Sequence, residues 1–504
     1  MVKTKEGKSM NFKGEMREKS GITLITLAVT IIILLILAGI TIATITSDNG
    51  IIKNASDAKE QTEIAEEKEI VDRATIQAMG NNKRGNLVED ELQEQLDKIT
   101  DSGRTEVSDN GEEFEVVFVE STRYYTVDKD GNIVEEGKIV IDKSPGDITK
   151  DENGDDIKEG QPYEIWCIED LIAFSNMVNG EGTIIENGKA VEINTSTDFS
   201  NKTVELKTNL NFKSKYSYAN SERTDFGDIN GNENDGNTLI NEMTTGTGFK
   251  PIGTENLFTG IFDGNEYEIK QIYINQPTYN TGLFGRVNNG IIKSLGISGN
   301  ITGNDNTGGI AGLSGNNTLI QDCYNKANIY SSSNAGGIIG ATHNGKTTLI
   351  NCYNDTKTEI KGNNAGGIIG HTGTAEASPC IYNCFNLGII DGLNAGGIIG
   401  YVENHSESIN VYSLGKITGN TVGGIVGSAL WNNTSQNKFE NCYFLKSDTV
   451  QKSAGSKITV NATMIQKLTN TEIDEMNNYI KDNTSITSYW KKWKLGENGY
   501  PIFE

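Results

Sequence analysis

The chain is poor in the residues on which many metal sites and disulfide-rich scaffolds depend. Only three histidines, six cysteines and six prolines occur among its 504 residues. So few histidines leave little room for a histidine-based metal site, and six cysteines in so long a chain do not make a disulfide-dense scaffold. The low proline content excludes a collagen and a proline-rich linker protein.

Positive charge is also scarce. Lys and Arg number 44 against 68 Asp and Glu, which gives a net charge of −24. A protein this acidic would repel phosphate instead of releasing its counterions, so nucleic acid is excluded as a partner. Glycine, in contrast, is abundant at 57 residues. The length predicts about two to four domains, and the composition favours a polar, glycine-rich β protein over a compact enzyme.

Charge is absent from one long stretch near the N-terminus. No charged residue occurs from 20 to 47, and the apolar run 22–45, at about 1.5 Å per residue, is long enough to span a bilayer. The basic leader, 1–21, would stay in the cytoplasm and the remainder would lie outside. A buried core helix and a cleaved secretory signal are the alternatives, but the run is longer than the apolar region of such a signal.

The segment KSGITLITLAVTIIILLILAGITIA resembles the N-terminus of type IV prepilins. The resemblance implies that a prepilin peptidase cuts after Gly21, so that Ile22 becomes the methylated N-terminus of a retained apolar helix. In that family a glutamate at the fifth position after the cut pairs with a neighbouring subunit, and Thr26 stands there in this chain. Filament assembly is therefore less strongly implied than processing, and an uncleaved membrane anchor is the alternative.

Residues 46–142 predict a pilin-like helix followed by a small α/β domain. Residues 51–79 contain no glycine or proline and read as a helix, which matches the two-part first helix of pilins. A second helix is predicted at 88–99, and β-type segments with a KDG turn follow it. The acidic stretch 143–161 has no apolar cluster, and it predicts a linker.

Six similar glycine-rich strings in the second half of the chain predict its fold. They end at Gly285, Gly312, Gly340, Gly370, Gly400 and Gly427, and a second repeated position in phase with them is held by Cys323, Cys352, Cys384 and Cys442. Three short β-type segments in each period of 27–32 residues are typical of a right-handed β-helix, or β-solenoid. A propeller blade would need four strands and a longer period.

Each coil has predicted turn, core and corner positions. Glycine pairs would permit turns with positive φ and close backbone stacking, and the Cys position would stack in the core. The residues before the Cys position favour a left-handed corner and amide bonds between coils; they are Asp322, Asn351, Asn383, Asn410 and Asn441. An aromatic ladder follows, for which packing is favoured over ligand stacking: Tyr324, Tyr353, Phe385, Tyr412 and Tyr443.

These strings resemble the GLUG motif of bacterial surface adhesins and of the non-catalytic part of IgA-type proteases. The resemblance covers about residues 280–445. It implies a solenoid that acts in adhesion or ligand binding and supplies no catalytic residues. An extended glycan, or a host or neighbouring surface protein, is the partner that a long and rigid solenoid surface suits.

Candidate catalytic and metal-binding residues are few. The acids of 282–445 recur at no common register, so the paired carboxylates of glycoside hydrolysis are not predicted, and the protein is not expected to be an enzyme. No cofactor is expected apart from calcium, for which one acidic loop offers the oxygen donors Asp228, Asn230, Asn232 and Asp235. That loop lacks the glycine and the final glutamate of an EF-hand, and a solvated loop is the alternative.

The sequence therefore predicts a mainly β chain, in which a transmembrane pilin-like helix and a small α/β domain precede a right-handed β-solenoid. The predicted segments are 1–21 basic leader, 22–45 transmembrane helix, 46–142 pilin-like domain, 143–161 linker, 162–280 N-terminal cap and entry coils, 281–445 repeats and 446–504 C-terminal cap. We expect a single-pass surface protein with a cytoplasmic N-terminus, possessing adhesive or ligand-binding function. The alternatives are a β-helix polysaccharide-degrading enzyme and a structural subunit of a pilus or pseudopilus.

Overall fold

A computed structural model describes residues 51–82, 86–100, 104–109, 113–119, 121–139, 143–212, 246–277, 279–373, 377–403, 405–430, 437–496 and 499–504. The chain divides into two compact units, Met1–Glu69 and Ile70–Glu504. Among the described residues, no helix is both long and apolar enough to cross a membrane. The predicted leader, cleavage site and apolar run lie outside the described residues, and so does the candidate calcium loop with Asp228, Asn230, Asn232 and Asp235.

A small α/β domain begins with the long helix Ile51–Asn81 and the shorter helix Glu89–Ile99. An antiparallel sheet follows, whose strands pair in chain order: Thr105–Asp109, Phe114–Phe118, Arg123–Val127 and Ile133–Lys138. In the second helix Leu92 and Leu96 are spaced by four residues and therefore lie on one face. Both are fully buried in the domain core.

The remainder is a right-handed β-solenoid of about six turns, built from three parallel sheets. Sheet A consists of Tyr163–Ile165, Thr203–Leu206, Ile261–Asp263, Ile291–Lys293, Thr318–Gln321, Gly345–Ile350, Ala377–Tyr382, Glu407–Ile409 and Lys438–Glu440. Sheet B consists of Phe284–Asn288, Ala311–Gly315, Ile339–Thr342, Ile369–Thr372, Ile399–Val402 and Val426–Ala429. The mainly β solenoid predicted from the repeats is confirmed.

Sheet C joins the remaining strands of the coils. Its strands are Leu210–Asn211, Glu268–Asn275, Asn280–Thr281, Gly296–Gly303, Asn306–Gly308, Tyr324–Asn325, Asn328–Ser331, Asn334–Gly336, Tyr353–Asn354, Glu359–Gly366, Phe385–Asn386, Ile389–Gly396, Tyr412–Ser413, Ile417–Gly423, Tyr443–Leu445 and Thr463–Ile465. Equivalent residues pair between coils, as Ile329 does with Ile360 and Ile390 with Ile417. This register stacks identical apolar side chains in the core, where Ile329, Ile360 and Ile390 are fully buried.

The N-terminal end of the solenoid is covered by the helix Ile168–Asn179, which follows the first strand of sheet A. Leu171 and Phe174 of this helix are fully buried in the solenoid core. The antiparallel hairpin Gly182–Glu186 and Lys189–Ile193 comes next. A helix in this place shields strand edges that would otherwise remain open to pairing.

Residues 143–161, for which the sequence predicts a linker, pack against this cap helix. The Lys143 ammonium lies 3.0 Å from the Asp170 carboxylate, and both side chains are fully buried. Asp170 also accepts hydrogen bonds from the backbone N–H groups of Gly146 and Trp166. A buried ion pair needs such additional donors to offset its desolvation. The start of the stretch is therefore fixed to the cap helix.

An ion-pair network joins the small α/β domain to the flank of the solenoid. The Lys270 ammonium lies 3.1 Å from the Glu106 carboxylate of the small domain, and Lys326 lies 3.1 Å from Glu268. Burial raises the pKa of Glu106. Burial alone would also raise the pKa of Glu268, but Lys326 and Lys270 lower it below its usual value. The two parts are therefore joined by charged contacts that are shielded from water.

The C-terminal residues cover the far end of the solenoid and then turn back along its side. The strand Thr463–Ile465 pairs with Tyr443–Leu445, and Val450 and Val460 are buried in the solenoid core. Residues 466–496 and 499–504, here named the C-terminal strap, contain the helices Asn470–Asp482 and Thr484–Thr487 and the hairpin Trp493–Leu495 and Pro501–Phe503. The strap lies against the flank of the coils, whereas the sequence predicts that it closes the end.

Candidate functional site

The repeated glycines lie in sheet B, where successive coils approach one another closely. Gly285, Gly312, Gly340, Gly370, Gly400 and Gly427 are all buried. A Cβ atom on Gly370 would lie 2.6 Å from the carbonyl oxygen of Gly340 and 2.8 Å from the backbone of Ala335. The preceding glycine pairs, such as Gly336 and Gly337, do not have positive φ. The predicted left-handed glycine turn is wrong, and close backbone approach is the reason for glycine.

Asparagines occupy the left-handed corners instead. Asp322, Asn351, Asn383, Asn410 and Asn441 have φ between 50° and 58°. Each amide donates to the equivalent side chain of the preceding coil, with distances from 2.6 to 2.8 Å. We name this row the corner ladder. It has the backbone conformation and the inter-coil bonds that the sequence predicts, because Asn tolerates positive φ.

The repeated cysteines are core residues. Cys323, Cys352, Cys384 and Cys442 are buried and form no disulfide. Their Sγ atoms lie near backbone carbonyl oxygens, as at 3.3 Å between Cys442 and Ser408. Burial raises the pKa of the Cys442 thiol to about 12, so this group stays protonated near neutral pH. Burial would also raise the pKa of Cys352, but hydrogen bonds from Cys323 and Cys384 outweigh it and lower that pKa. Nucleophilic chemistry needs a thiolate in an exposed site, and every thiol of this row is buried.

The aromatic ladder is stacked and covered. Ring centroids are 5.1 Å apart for Tyr324 and Tyr353, 4.6 Å for Tyr353 and Phe385, and 5.1 Å for Phe385 and Tyr412. The side chains of Trp493 and Phe503 from the strap pack on these rings in one buried cluster. These rings therefore act in packing, and the strap occupies the face on which a ligand ring would stack.

The strap also binds the corner ladder through its backbone. Asn351 donates to the carbonyl oxygen of Tyr489 at 2.8 Å and accepts from the N–H of Lys491 at 3.1 Å. One coil further on, Asn383 donates to the carbonyl oxygen of Lys491 at 2.9 Å. The Lys491 ammonium lies 3.5 Å from Asp322. The corner ladder thus holds a segment of the strap with side-chain amides that simultaneously link the coils.

A second row of amides runs along sheet C. It consists of Asn280, Asn306, Asn334, Asn364 and Asn394, which are in register from coil to coil. Each Nδ2 donates to the Oδ1 of the preceding coil at 2.8 or 2.9 Å. We name this row the outer ladder. Unlike Asn351 and Asn383, which are buried, Asn306, Asn364 and Asn394 remain partly exposed.

The carboxylates of the repeats face cations, hydroxyls or amides. Asp391 lies between Lys361 and Thr418 of the neighbouring coils. Glu407 is in register with Cys380 on one side and Lys438 on the other. In the sheets that the structure describes within 282–445, no carboxylate is in register with a second one. Glu407 and Glu440 nevertheless lie close together, because both contact the Lys438 ammonium, at 3.2 Å and 3.3 Å. An acid and base pair for glycoside cleavage requires two carboxyl groups about 5 to 9.5 Å apart.

One histidine has a carboxylate partner that sequence spacing does not reveal. His371 Nε2 lies 3.1 Å from Glu403 Oε2, and the His371 ring lies 5.5 Å from that of Tyr401. Burial lowers the pKa of His371, whereas Glu403 opposes this shift. His371 is one residue past its glycine string and Glu403 is three past the next. Their different offsets hide the pair from a search for one common repeat position.

No site for a metal ion is formed by three or more His, Cys, Asp or Glu side chains in the part of the chain that the structure describes. Calcium at the loop 228–236 stays a prediction, since that loop lies outside the described residues. Cleavage between Gly21 and Ile22 stays a prediction for the same reason. Carboxylates such as Asp391 and Glu407 are paired and the aromatic ladder is covered by the strap, so the exposed amide and hydroxyl groups are the candidate binding groups.

Comparison with known proteins gives one structural likeness and no family. No family model and no curated protein matches the chain. A crystal structure described as that of a "putative immunoglobulin A1 protease" from Bacteroides ovatus is similar at a TM-score of 0.45 with 19% sequence identity. The match covers 69% of this chain and 93% of that chain. This likeness assigns no activity to the present protein.

Proposed function

We propose that this protein is a membrane-anchored, pilin-like surface protein whose solenoid binds an extended ligand and does not cleave it. The observation that carries the proposal is the pairing of the solenoid carboxylates. Asp391 and Glu407 contact Lys361 and Lys438, so these acids are engaged in holding the coils together. The coils then present polar groups on a rigid surface, which suits binding along an extended molecule.

The near-neutral charge of the repeats supports recognition through hydrogen bonds. Residues 282–445 contain eight Lys and Arg against nine Asp and Glu, although the whole chain carries −24. Ion pairs between coils, such as Lys361 with Asp391, neutralise part of this charge locally. A ligand for this surface is therefore expected to be an extended glycan or a surface protein that offers amides and hydroxyls.

The anchor in this proposal rests on the sequence. The basic leader and the apolar run 22–45 favour a single pass with the N-terminus in the cytoplasm. The resemblance to type IV prepilins adds a prepilin peptidase as a partner and raises a pilus or pseudopilus subunit as an alternative role. Presence of the chain in purified filaments would favour that alternative.

Binding is tested with the full chain in detergent on arrays of neutral glycans, anionic glycans and surface proteins. The proposal expects binding to members of at least one array, with no release of reducing ends or unsaturated products. A chain that keeps its fold but binds nothing contradicts the binding function. Product release that disappears on substitution of one Asp or Glu contradicts the absence of catalysis.

A hydrolase is the second candidate function, and the His371 and Glu403 pair favours it. A carboxylate can orient a histidine that acts as a general base. Cys380 is the most exposed of the six thiols at 7%, but its pKa is raised by burial, which disfavours it as the nucleophile. His371→Asn would abolish hydrolysis of an array component if this candidate were correct, whereas we expect it to leave binding unchanged.

A further inference from the structure

The corner ladder shows how this solenoid holds a peptide. Asn383 donates one hydrogen bond to Asn351 of the preceding coil and another to the backbone of Lys491. Its Oδ1 accepts from Asn410 of the next coil and from the indole of Trp493. A primary amide has two N–H donors and two acceptor lone pairs. Half of this capacity links the coils, and the other half binds the strap.

Alternate residues of the strap contact successive coils. Asn351 binds the backbone of Tyr489 and Lys491, and Asn383 binds Lys491 and Trp493. Tyr489 lies in a turn and the strand of the strap begins at Trp493, so it is the segment between these two residues that follows the row of side chains. The contacts of Tyr489 and Lys491 use main-chain groups, whereas that of Trp493 uses its indole N–H; this recognition therefore does not require a particular sequence at every position.

The outer ladder has the same inter-coil bonds without a strap. In Asn306, Asn334 and Asn364, one N–H donates to the preceding coil and Oδ1 accepts from the next coil. Within the described residues, no contact is assigned to the second N–H or to the remaining acceptor capacity of these amides. Asn306 and Asn364 are also partly exposed. Asn306 and Asn364 thus present here the donors and acceptors that hold the strap on the corner ladder, whereas Asn334 between them is 8% exposed.

The surroundings of the outer ladder favour an uncharged ligand. The residues directly before the ladder positions are Tyr279, Asp305, Ser333, Asn363 and Leu393. Only Asp305 among them is charged, while Tyr279 is 74% exposed and Leu393 is 50% exposed. Tyr279 and Leu393 stand beside the first and the last asparagine of the ladder, so they offer exposed apolar surface at its two ends and no partner for charged groups.

We propose that the outer ladder is a docking surface for an extended, uncharged polypeptide segment of another protein. This inference rests on the proposed binding function and names the class of ligand. Four coil spacings of about 4.8 Å make about 19 Å, which about six extended residues span at about 3.3 Å each. The chain's own strap on the corner ladder favours a polypeptide over a glycan.

The test uses the full chain in detergent and synthetic peptides of about eight residues, a length that exceeds the span of the ladder. Uncharged peptides rich in Ser, Thr, Gly and Asn are compared with matched peptides that contain several Lys or several Glu. Neutral glycans are measured in parallel. The inference expects binding of uncharged peptides, with weaker binding of both charged sets.

The decisive variant combines Asn306→Thr and Asn364→Thr, the two partly exposed amides. Threonine is a replacement that the chain itself uses, because Thr421 is in register with Asn394 at the next position of the row. Loss of two hydrogen bonds is expected to weaken peptide binding about tenfold. Asn420→Thr is the matched control, since Asn420 is exposed and lies beside the row; it should bind as the unaltered chain does.

Each result has a definite meaning. Binding of uncharged peptides that the double variant weakens and the control preserves supports the inference. Equal binding by the double variant overturns it, as does a preference for charged peptides. Binding of glycans alone overturns this inference and leaves the proposed binding function standing, whereas binding of no probe overturns both. If the double variant unfolds, Asn394→Thr at the end of the row replaces it, with a loss of about threefold expected.

Discussion

Trp493 donates a hydrogen bond from its indole Nε1 to the Oδ1 of Asn383 at 2.7 Å, although the two residues are 110 positions apart. The indole is 1% exposed, and its ring centroid lies 5.1 Å from that of Tyr412. The corner ladder therefore satisfies the polar edge of the indole while the aromatic ladder packs on its face. One side chain of the strap thereby contacts both repeated rows.

Trp493→Ala is expected to lower the free energy of unfolding by about 3–5 kcal/mol, because it removes a large buried ring and leaves a cavity. Chemical denaturation of the full chain measures this loss, and limited proteolysis should cut the strap before the repeats. Tyr489→Ala is the matched control: Tyr489 is 70% exposed, so its removal should have little effect. Equal stability of the Trp493 variant and the unaltered chain would contradict the role of this anchor.

The repeat period of the sequence predicts the coils because one side chain recurs at each inward position. Ile338, Ile368 and Ile398 follow their glycine pairs at the same offset, and all three are fully buried. The corner asparagines also recur from coil to coil, and they are predictable because positive φ limits which residues fit at a corner. Periodicity and local backbone preference together therefore specify the solenoid.

Contacts between a repeat and a segment outside the repeats are not predictable in this way. Nothing periodic in the strap indicates that Lys491 binds Asn351 and Asn383, because these contacts use backbone groups. Lys143 likewise lies in an acidic stretch that reads as a linker, while its partner Asp170 is in the cap helix. Such pairs depend on where two distant segments meet in space.

Gly337→Val is expected to destabilise the solenoid locally. A Cβ atom at Gly337 would lie 2.2 Å from the carbonyl oxygen of Gly367 in the next coil, and backbone in a stacked coil cannot move aside cheaply. The cost of such overpacking is about 1–3 kcal/mol or more. Gly309→Val should act similarly, because its Cβ atom would lie 2.5 Å from the carbonyl oxygen of Gly337.

The control for this prediction is Gly80→Ala in the helix Ile51–Asn81, where an added Cβ atom would meet nothing within 4 Å. Alanine is favoured over glycine in a helix by about 1 kcal/mol, so this variant should be neutral or slightly more stable. Melting temperatures of the three variants and the unaltered chain give the comparison. Unchanged melting of both valine variants would contradict the close approach of the coils.

The repeated thiols are expected to be unreactive in the folded chain. Cys323, Cys352 and Cys384 are fully buried, and burial raises the pKa of Cys442 to about 12. A disulfide reagent at pH 8 should therefore modify almost none of these thiols in buffer, because thiolate and access are both needed. All six cysteines should react in guanidinium. Rapid modification of a repeat cysteine in the folded chain would contradict the core position of that row.

Processing at the N-terminus is a prediction of the sequence alone. The basic leader ends where the apolar run begins, at Gly21 and Ile22. Mass spectrometry of the chain extracted from membranes should find Ile22 as the first residue when a prepilin peptidase is present. Gly21→Leu should retain the leader, because the resemblance places the cut after a glycine. An extracted chain that still begins at Met1 would favour an uncleaved anchor.

Glu268 gives the contact between the small domain and the solenoid a defined pH dependence. Its carboxylate is 6% exposed and accepts hydrogen bonds from Lys326 at 3.1 Å and Tyr324 at 3.0 Å. Burial would raise its pKa, but Lys326 and Lys270 outweigh burial and lower that pKa. A carboxyl group with a lowered pKa stabilises the folded state above its unfolded pKa of about 4.3. That contribution is lost as the pH falls through the folded value.

Glu268→Gln should therefore reduce the free energy of unfolding by about 1.5–3 kcal/mol at pH 7, the range for a hydrogen bond to a charged group. The difference between this variant and the unaltered chain should stay constant from pH 7 to about pH 5 and shrink below about pH 4.3. Glu94→Gln is the control, because the pair of Glu94 and Lys98 is exposed to solvent and screened. Denaturant unfolding across this pH range measures both differences. If the Glu268 difference at pH 3 equals that at pH 7, the carboxylate does not contribute as a charged group.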